Sequence, residues 1–308
     1  MEPVLSIKPL LAVLVSLVVV PVLVSSRTPN VREAWTFVAA TAKFGIVVSM
    51  VPAVLGGERL VYTLAEVLPG VPIALSVDPL GMLFALVASS LWIVTSAYSI
   101  GYMRGLKEHG QTRYFCFFAV ALSATMGVAF SANLLTLYLF YELLSLATYP
   151  LVTHHQDKEA RTSGRKYLVY ILGTSIGMVL PAMLICYQMS GTLTFSGQGF
   201  MAKTGSGTVM TLLLLMFVFG FAKAAVIPFH GWLPAAMVAP TPVSALLHAV
   251  AVVKVGVFSI VRVLTGVFGI QLLSSLDLGV VLCIVASCTI LIASLIALTQ
   301  DNLKRLLA

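Results

Sequence analysis

Apolar runs long enough to cross a lipid bilayer recur along this chain, and they constrain its fold more than any other feature. They fall near residues 9–26, 35–55, 80–103, 114–132, 134–152, 167–188, 209–229, 243–263 and 278–299. A helix crossing the hydrocarbon core needs about 20 mostly apolar residues. In lipid the backbone must satisfy its own N–H and C=O groups, which restricts such runs to helices or closed barrels. Composition agrees, because only 9% of the 308 residues are charged, against about 25% in soluble domains. A water-soluble surface cannot be built from so few charges. Cytosolic enzymes, nucleic-acid-binding modules and disordered chains are therefore excluded, and the expected fold is all-α and polytopic, with about nine transmembrane helices.

The connections carry the remaining polarity. The joints at Ser131–Leu134 and in the proline-rich stretch Pro234–Pro242 are tight. Gly56–Asp78 is too polar to span and reads as an extramembranous segment with a short hairpin, and Ser190–Gly207 reads as a loop. The first run is read as a retained helix, which an uncleaved signal anchor would resemble. Cytoplasmic loops collect Lys and Arg. With the N-terminus outside, eleven basic residues fall inside: Arg27, Arg32, Arg104, Lys107, Arg113, Lys158, Arg161, Arg165, Lys166, Lys304 and Arg305. Only Lys8, Arg59, Lys203 and Arg262 fall outside. The net charge of +7 is thus mostly topology, with a basic patch for an acidic partner as the other reading of Lys158–Lys166. Cys116, Cys186, Cys283 and Cys288 sit in apolar runs without metal-ligand spacing and read as small buried hydrophobes.

The informative residues are charges inside the spans, each costing roughly 2.5–3.5 kcal/mol at mid-bilayer on insertion scales. They are Lys43, Glu142, Lys223 and Lys254, with His248 as a titratable neighbour. Glu142 shares a helical stripe with Tyr138, Ser145 and Tyr149, which suits a carboxylate that holds and passes on a proton or cation. A structural ion pair with a lysine of another helix is the other reading. Lys223 lies five residues before Pro228, so a broken helix is expected just beyond it, with the Ala224 carbonyl freed. Broken helices beside an ionisable group form ion sites within membranes; a lysine snorkelling to the interface is the alternative. In the next span Thr241, Ser244 and His248 share a face, and Lys254 stands about 240° around from His248 on α-helical geometry. A packed, hydrogen-bonded histidine is the plain reading of His248. His230 and Trp232 beside Pro234 look like a turn that fixes the break. Lys43 reads equally as a subunit contact or a lipid-facing snorkel, and Gly173 and Gly177 as a close-packing pair. Paired-histidine haem spacing, cysteine clusters, phosphate-binding glycine loops and nucleophile elbows are all missing from the sequence. No cofactor or metal site and no redox active site of its own is indicated. The chemistry left is movement of protons or cations.

These residues carry a resemblance. Tyr138-Leu-Phe-Tyr-Glu142-Leu-Leu-Ser145 is followed by Phe221-Ala-Lys223-Ala-Ala-Val-Ile-Pro228-Phe-His230-Gly-Trp232-Leu-Pro234. Next come Ala239-Pro-Thr-Pro-Val-Ser-Ala-Leu-Leu-His248, Lys254, and the closing Gln300-Asp301-Asn-Leu-Lys304-Arg305-Leu-Leu-Ala308. In this order, from about residue 75 onward, they resemble the antiporter-like subunits of NADH–quinone oxidoreductases, multisubunit cation/proton antiporters and membrane-bound hydrogenases. The stretch Ala236-Met-Val-Ala-Pro-Thr-Pro-Val-Ser244 is most similar to the antiporter and hydrogenase branches.

The resemblance implies a fourteen-helix fold of two inverted five-helix repeats, with Glu142 on the fifth helix, Lys223 on a broken seventh, and His248 and Lys254 as an eighth-helix relay. On that pattern residues 1–110 form a leading three-helix segment, 111–265 a complete five-helix repeat and 266–308 the start of a second. A fragment, or a chain whose other half lies on another polypeptide, is expected. The implied function is proton or monovalent-cation translocation within a redox-linked or antiporter complex, Glu142 tuning Lys223, with Pro228, His230 and Ser244 in support. The alternative is a non-transporting structural or assembly subunit. Expected partners are the bilayer, other membrane subunits, H⁺ and Na⁺, with no nucleic acid. The expected location is an energy-transducing membrane, most simply a prokaryotic cell membrane.

Overall fold

The computed structural model describes residues 2–68, 70–202 and 207–308; Lys203 lies outside them. Among these residues eight helices are long and apolar enough to cross a membrane: α1 (Lys8–Ser25), α2 (Pro29–Leu55), α3 (Pro79–Gly105), α4 (Gln111–Ala129), α5 (Leu134–Val152), α6 (Lys158–Ser190), α8 (Thr241–Phe268) and α9 (Leu278–Ala297). Between α6 and α8 lies the shorter apolar helix α7 (Gly207–Gly220). Each matches one expected span. Prolines open α1, α2 and α3, where the missing N–H costs nothing. Asp78, Asn133 and Asp157 cap α3, α5 and α6 by accepting from the backbone N–H of Gly81 (2.9 Å), Thr136 (2.8 Å) and Ala160 (2.7 Å).

The expected hairpin forms as β2 (Glu58–Leu68) antiparallel to β3 (Val71–Val77), and β1 (Glu2–Leu5) adds parallel to β2. The hairpin lies over the joint between α4 and α5. Ala132 N–H donates to Ala74 O (3.0 Å), and Ala74 N–H donates to Thr136 Oγ1 (3.1 Å). At this end Arg262 of α8 grips Asp78 through both carboxylate oxygens, Nη2 to Oδ1 at 2.8 Å, tying α8 to the cap of α3. The basic loops gather at the opposite end. There Arg32 donates to Gln111 Oε1 (2.7 Å), Arg104 Nε to Glu33 (2.9 Å) and Lys304 Nζ to Ala239 O (2.9 Å). The sorting of basic residues by loop therefore corresponds to two ends of one bundle.

α4 and α5 form its centre. Nearly every residue of α4 from Tyr114 to Ala129 is buried, whereas α9 exposes Val280, Ile284, Leu291 and Leu295.

Several sequence readings change. Lys43 neither snorkels nor awaits a partner. It is fully buried, donating to Ser16 Oγ (2.7 Å) and Leu122 O (3.0 Å) with its Nζ 5.0 Å from the Trp92 ring centroid. The small residues of α1 and α4 leave room for it. Gly173 and Gly177 face an open groove, with nothing within 4 Å of where a side chain would begin, so they pack against no helix here. Cys116 and Cys186 are buried as expected, but Cys283 and Cys288 are exposed, because α9 has neighbours on so little of its surface.

Candidate functional site

The site is built where α7 ends. α7 stops at Gly220, and Lys223 sits in a single 3₁₀ turn, Ala222–Ala224, closed by Ala225 in a left-handed conformation (φ 55°). The break thus begins before the lysine, not beyond it as the Pro228 spacing suggests; Pro228 is exposed on the far side of the turn. Three contacts hold this turn. Trp232, fully buried, donates its indole Nε1–H to Ala222 O (2.8 Å). Lys223 N–H donates to the Tyr141 hydroxyl (3.2 Å). Gly256 of α8 lets the two backbones meet, since a side chain there would run into Lys223 and Ala224 main-chain atoms. Of His230 and Trp232, expected together to fix the break, Trp232 is the one that hydrogen-bonds to the turn.

Lys223 is fully buried, which removes the snorkelling reading. Its Nζ donates to Tyr141 O (2.5 Å) and Ser145 Oγ (2.8 Å) and lies 3.2 Å from the Tyr141 ring centroid. A desolvated ammonium is thus held by neutral oxygens and a π face, without a carboxylate in contact. No pattern in the sequence singles out Tyr141, although it shares with Ser145 the i, i+4 face that turns toward α7.

Glu142 lies one residue on, and its charge reaches Lys223, Tyr138, Tyr141 and Tyr167. Both carboxylate oxygens are buried and accept no hydrogen bond. The alternative reading, an ion pair in contact, is not what the structure shows: no salt bridge joins Glu142 to Lys223, though their charges are near enough to interact.

α8 begins at Thr241, after Pro240 at its N-cap, and passes through a turn of i→i+5 bonds, Leu246–Val250, in which His248 sits. That turn holds an extra residue, so the 240° separation of a regular α-helix does not apply. The two groups still face different ways. His248 Nε2 is buried and unpaired, as is Ser244 Oγ, while Lys254 is exposed in an apolar groove with Leu83, Phe84 and Val257. Lys254 remains close enough to His248 for their charges to interact. His230 Nδ1 is also buried without a partner. The structure therefore brings Glu142 and Lys223 together, sets Ser244 and His248 on the neighbouring helix, and turns Lys254 outward.

Residues 131–308 match the family model described as NADH:quinone oxidoreductase/Mrp antiporter membrane segment. Residues 70–115 match the N-terminal region of chain 5 of NADH–ubiquinone oxidoreductase. The chain belongs to this family of membrane subunits. It is 33% identical over 243 residues to a Na⁺/H⁺ antiporter subunit of Alkalihalophilus pseudofirmus, covering 78% of this chain and 29% of that protein. It is 30% identical over 276 residues to NAD(P)H-quinone oxidoreductase chain 5 of Picosynechococcus, covering 86% of this chain and 40% of the relative. The chain thus spans well under half the length of either. In fold it is similar to a chain of an archaeal membrane-bound sulfane sulfur reductase (TM-score 0.83, 23% identity, 98% of this chain and 62% of that one). It is similar to much the same degree to a chain of the Mrp complex from Dietzia (TM-score 0.81, 23% identity, 98% and 32%).

Proposed function

We propose that this chain moves protons, or a monovalent cation, through the membrane as one member of a multisubunit complex, with residues 111–265 as the transporting repeat. The observation that carries the reading is the pair formed by Lys223 and Glu142. One is an ammonium buried among neutral groups, and the other a carboxylate whose two buried oxygens have no partner. Burying ionisable groups without a countercharge in contact costs several kcal/mol, and Lys223, unlike Lys43, has a carboxylate near enough to interact with it, which supports a role beyond packing. Both are groups whose chemistry allows them to take up and release a proton.

Ser244 Oγ and His248 Nε2, buried and unpaired on α8, continue the line of polar atoms that water would bridge. Lys254 then serves as the outward transfer point, toward a helix of a neighbouring protein of the complex. Pro228 and His230 keep the segment after the lysine from resuming a helix. The relatives that belong to Na⁺/H⁺ antiporters support Na⁺ as the coupled ion, and the quinone-oxidoreductase relatives support H⁺. The excess of basic residues at one end supports an N-terminus outside a prokaryotic cell membrane.

The test is Lys223→Met in the assembled complex, with vesicles assayed for cation-dependent dissipation of a pH gradient. Transport should fall at least about tenfold while assembly of the complex stays normal, one tenfold step corresponding to about 1.4 kcal/mol of barrier. Undiminished transport with normal assembly would sink the proposal and leave a purely structural role.

A further inference from the structure

Three of the five histidines, all in joints between spans, converge on one carboxylate. Glu108 and His109 occupy the joint between α3 and α4, and His154 and His155 the joint between α5 and α6. His109 Nδ1, His154 Nε2 and His155 Nδ1 stand 3.9, 3.8 and 3.8 Å from the same atom, Glu108 Oε2. The ligand atoms of Glu108, His109 and His154 all fall within 4.8 Å of one another.

These separations are too long for hydrogen bonds. His109 Nε2 lies 3.1 Å from the carbonyl oxygen of His154, which can only accept, so Nε2 carries the proton. In the neutral ring, Nδ1 then presents a lone pair to the Glu108 carboxylate. His154 is fully buried and neither of its ring nitrogens has a hydrogen-bond partner. Lone pairs that face a carboxylate at this distance repel unless a cation stands between them.

We propose that Glu108, His109, His154 and His155 bind a single transition-metal dication of the zinc type, clasping the α3–α4 joint to the α5–α6 joint. Zn–N bonds of about 2.0–2.1 Å in a tetrahedral site place ligand atoms roughly 3.3 Å apart. The histidine nitrogens stand 3.8–3.9 Å from Glu108 Oε2, and the ligand atoms of Glu108, His109 and His154 lie within 4.8 Å of one another, so side-chain rotations close these three onto one ion; His155, 3.8 Å from the same oxygen but outside that group, turns further to supply the fourth donor. The surroundings are already those of a metal site. The far nitrogen of His109 is fixed by a carbonyl, which orients the ligand ring. Arg113 Nη2 donates to His154 O (2.8 Å), and Gln111 Nε2 donates to Met103 O (3.0 Å) and Glu108 O (3.2 Å). The donor set is three imidazoles and a single carboxylate. That selects Zn²⁺, Co²⁺ or Ni²⁺ over Mg²⁺ and Ca²⁺, which require several oxygen ligands.

The test uses the full chain in detergent, purified with a histidine-free tag and stripped with a chelator. Co²⁺ is titrated against visible d–d absorption, and Zn²⁺ binding is measured by equilibrium dialysis. One equivalent should bind and Mg²⁺ should not compete. His109→Gln and His155→Gln, whose side chains are 56% and 34% exposed and tolerate change, should each weaken binding at least about tenfold. His154→Gln should abolish the Co²⁺ spectrum; if that variant does not fold, Glu108→Gln replaces it. A missing saturable Co²⁺ signal overturns the proposal. So does binding unchanged in both exposed-histidine variants, either result meaning that protons alone pair these histidines with Glu108.

Discussion

Two fully buried tryptophans provide a test of how the helix break is held. Trp232 donates its indole N–H to Ala222 O (2.8 Å), whereas Trp92 Nε1 is buried without a partner. Replacing either by Phe removes one ring and one donor. Ala222 O still accepts from Ala225 N–H (2.9 Å), so Trp232→Phe leaves no orphaned acceptor. The loss is then the net value of one hydrogen bond, about 0.5–1.5 kcal/mol, plus a cavity term of about 1 kcal/mol. Trp92→Phe incurs only the cavity term, partly offset by removal of an unsatisfied N–H. About 2 kcal/mol against under 1 is expected, or a melting shift of about 4–8 °C against less than half that. Thermal denaturation of the detergent-solubilised protein reads both. Under the proposed function, transport should also fall in Trp232→Phe and hold in Trp92→Phe, because only the first loosens the Lys223 turn. Equal destabilisation by the two substitutions, or a Trp232→Phe protein as stable as the parent, would refute the idea that the indole pins the break.

Gly256→Ala should cost about 1–3 kcal/mol, since its Cβ would stand 2.8 Å from Ala224 Cα in a backbone contact that cannot rotate away; Gly45→Ala, with nothing within 4 Å, is the neutral control in the same melting assay. Lys43→Met should leave stability unchanged or raise it by about 1–4 kcal/mol, because the ammonium has no carboxylate beside it; a loss of several degrees in melting temperature would contradict this. Asp78→Asn should cost about 3 kcal/mol by leaving Arg262 unpaired. Burial pushes the Asp78 carboxyl up, but the hydrogen bonds and charge of Arg262, with the Gly81 N–H and Arg59, outweigh it and hold the group below its ordinary 3.8. Its stabilisation is therefore complete above that value and is lost as pH falls through the depressed one. Acid melts should show this decline in the parent and not in Asp78→Asn.

The spans were legible because lipid leaves the backbone few options, and hydropathy alone located the nine longer apolar helices among the described residues. Contacts between helices were not. Periodicity placed Glu142, Ser145 and Tyr138 on one stripe, yet Ser145 turns to Lys223 while the Glu142 oxygens meet nothing. Tyr141 was invisible because its part is played by a backbone carbonyl, a hydroxyl and a ring face, none of which a pattern of polar residues reports. Proline marked the broken helix but misplaced the break, since Gly220 and the left-handed Ala225 end the helical path earlier. Lys43 looked peripheral because neutral oxygens and an indole face, not a countercharge, receive it. The histidine cluster escaped notice because His109 and His154 come from two separate loops, with no ligand spacing along the chain.

The gap between Glu142 and Lys223 is itself informative. Two opposite charges in contact at 4 Å attract by about 4 kcal/mol at an effective dielectric of 20. Such a pair would hold both groups ionised. Here the lysine is satisfied by Tyr141 O and Ser145 Oγ, which flank Glu142 in the same helical turn. The carboxylate is near enough to bias the ammonium and too far to fix it. Its own oxygens then lack donors, and in a buried site water or a proton is the ligand that can supply them. Under the proposed function, it is this arrangement, one charge held by dipoles and the other left without donors, that makes the site able to respond to an added proton. A contact ion pair at the same position would resist it.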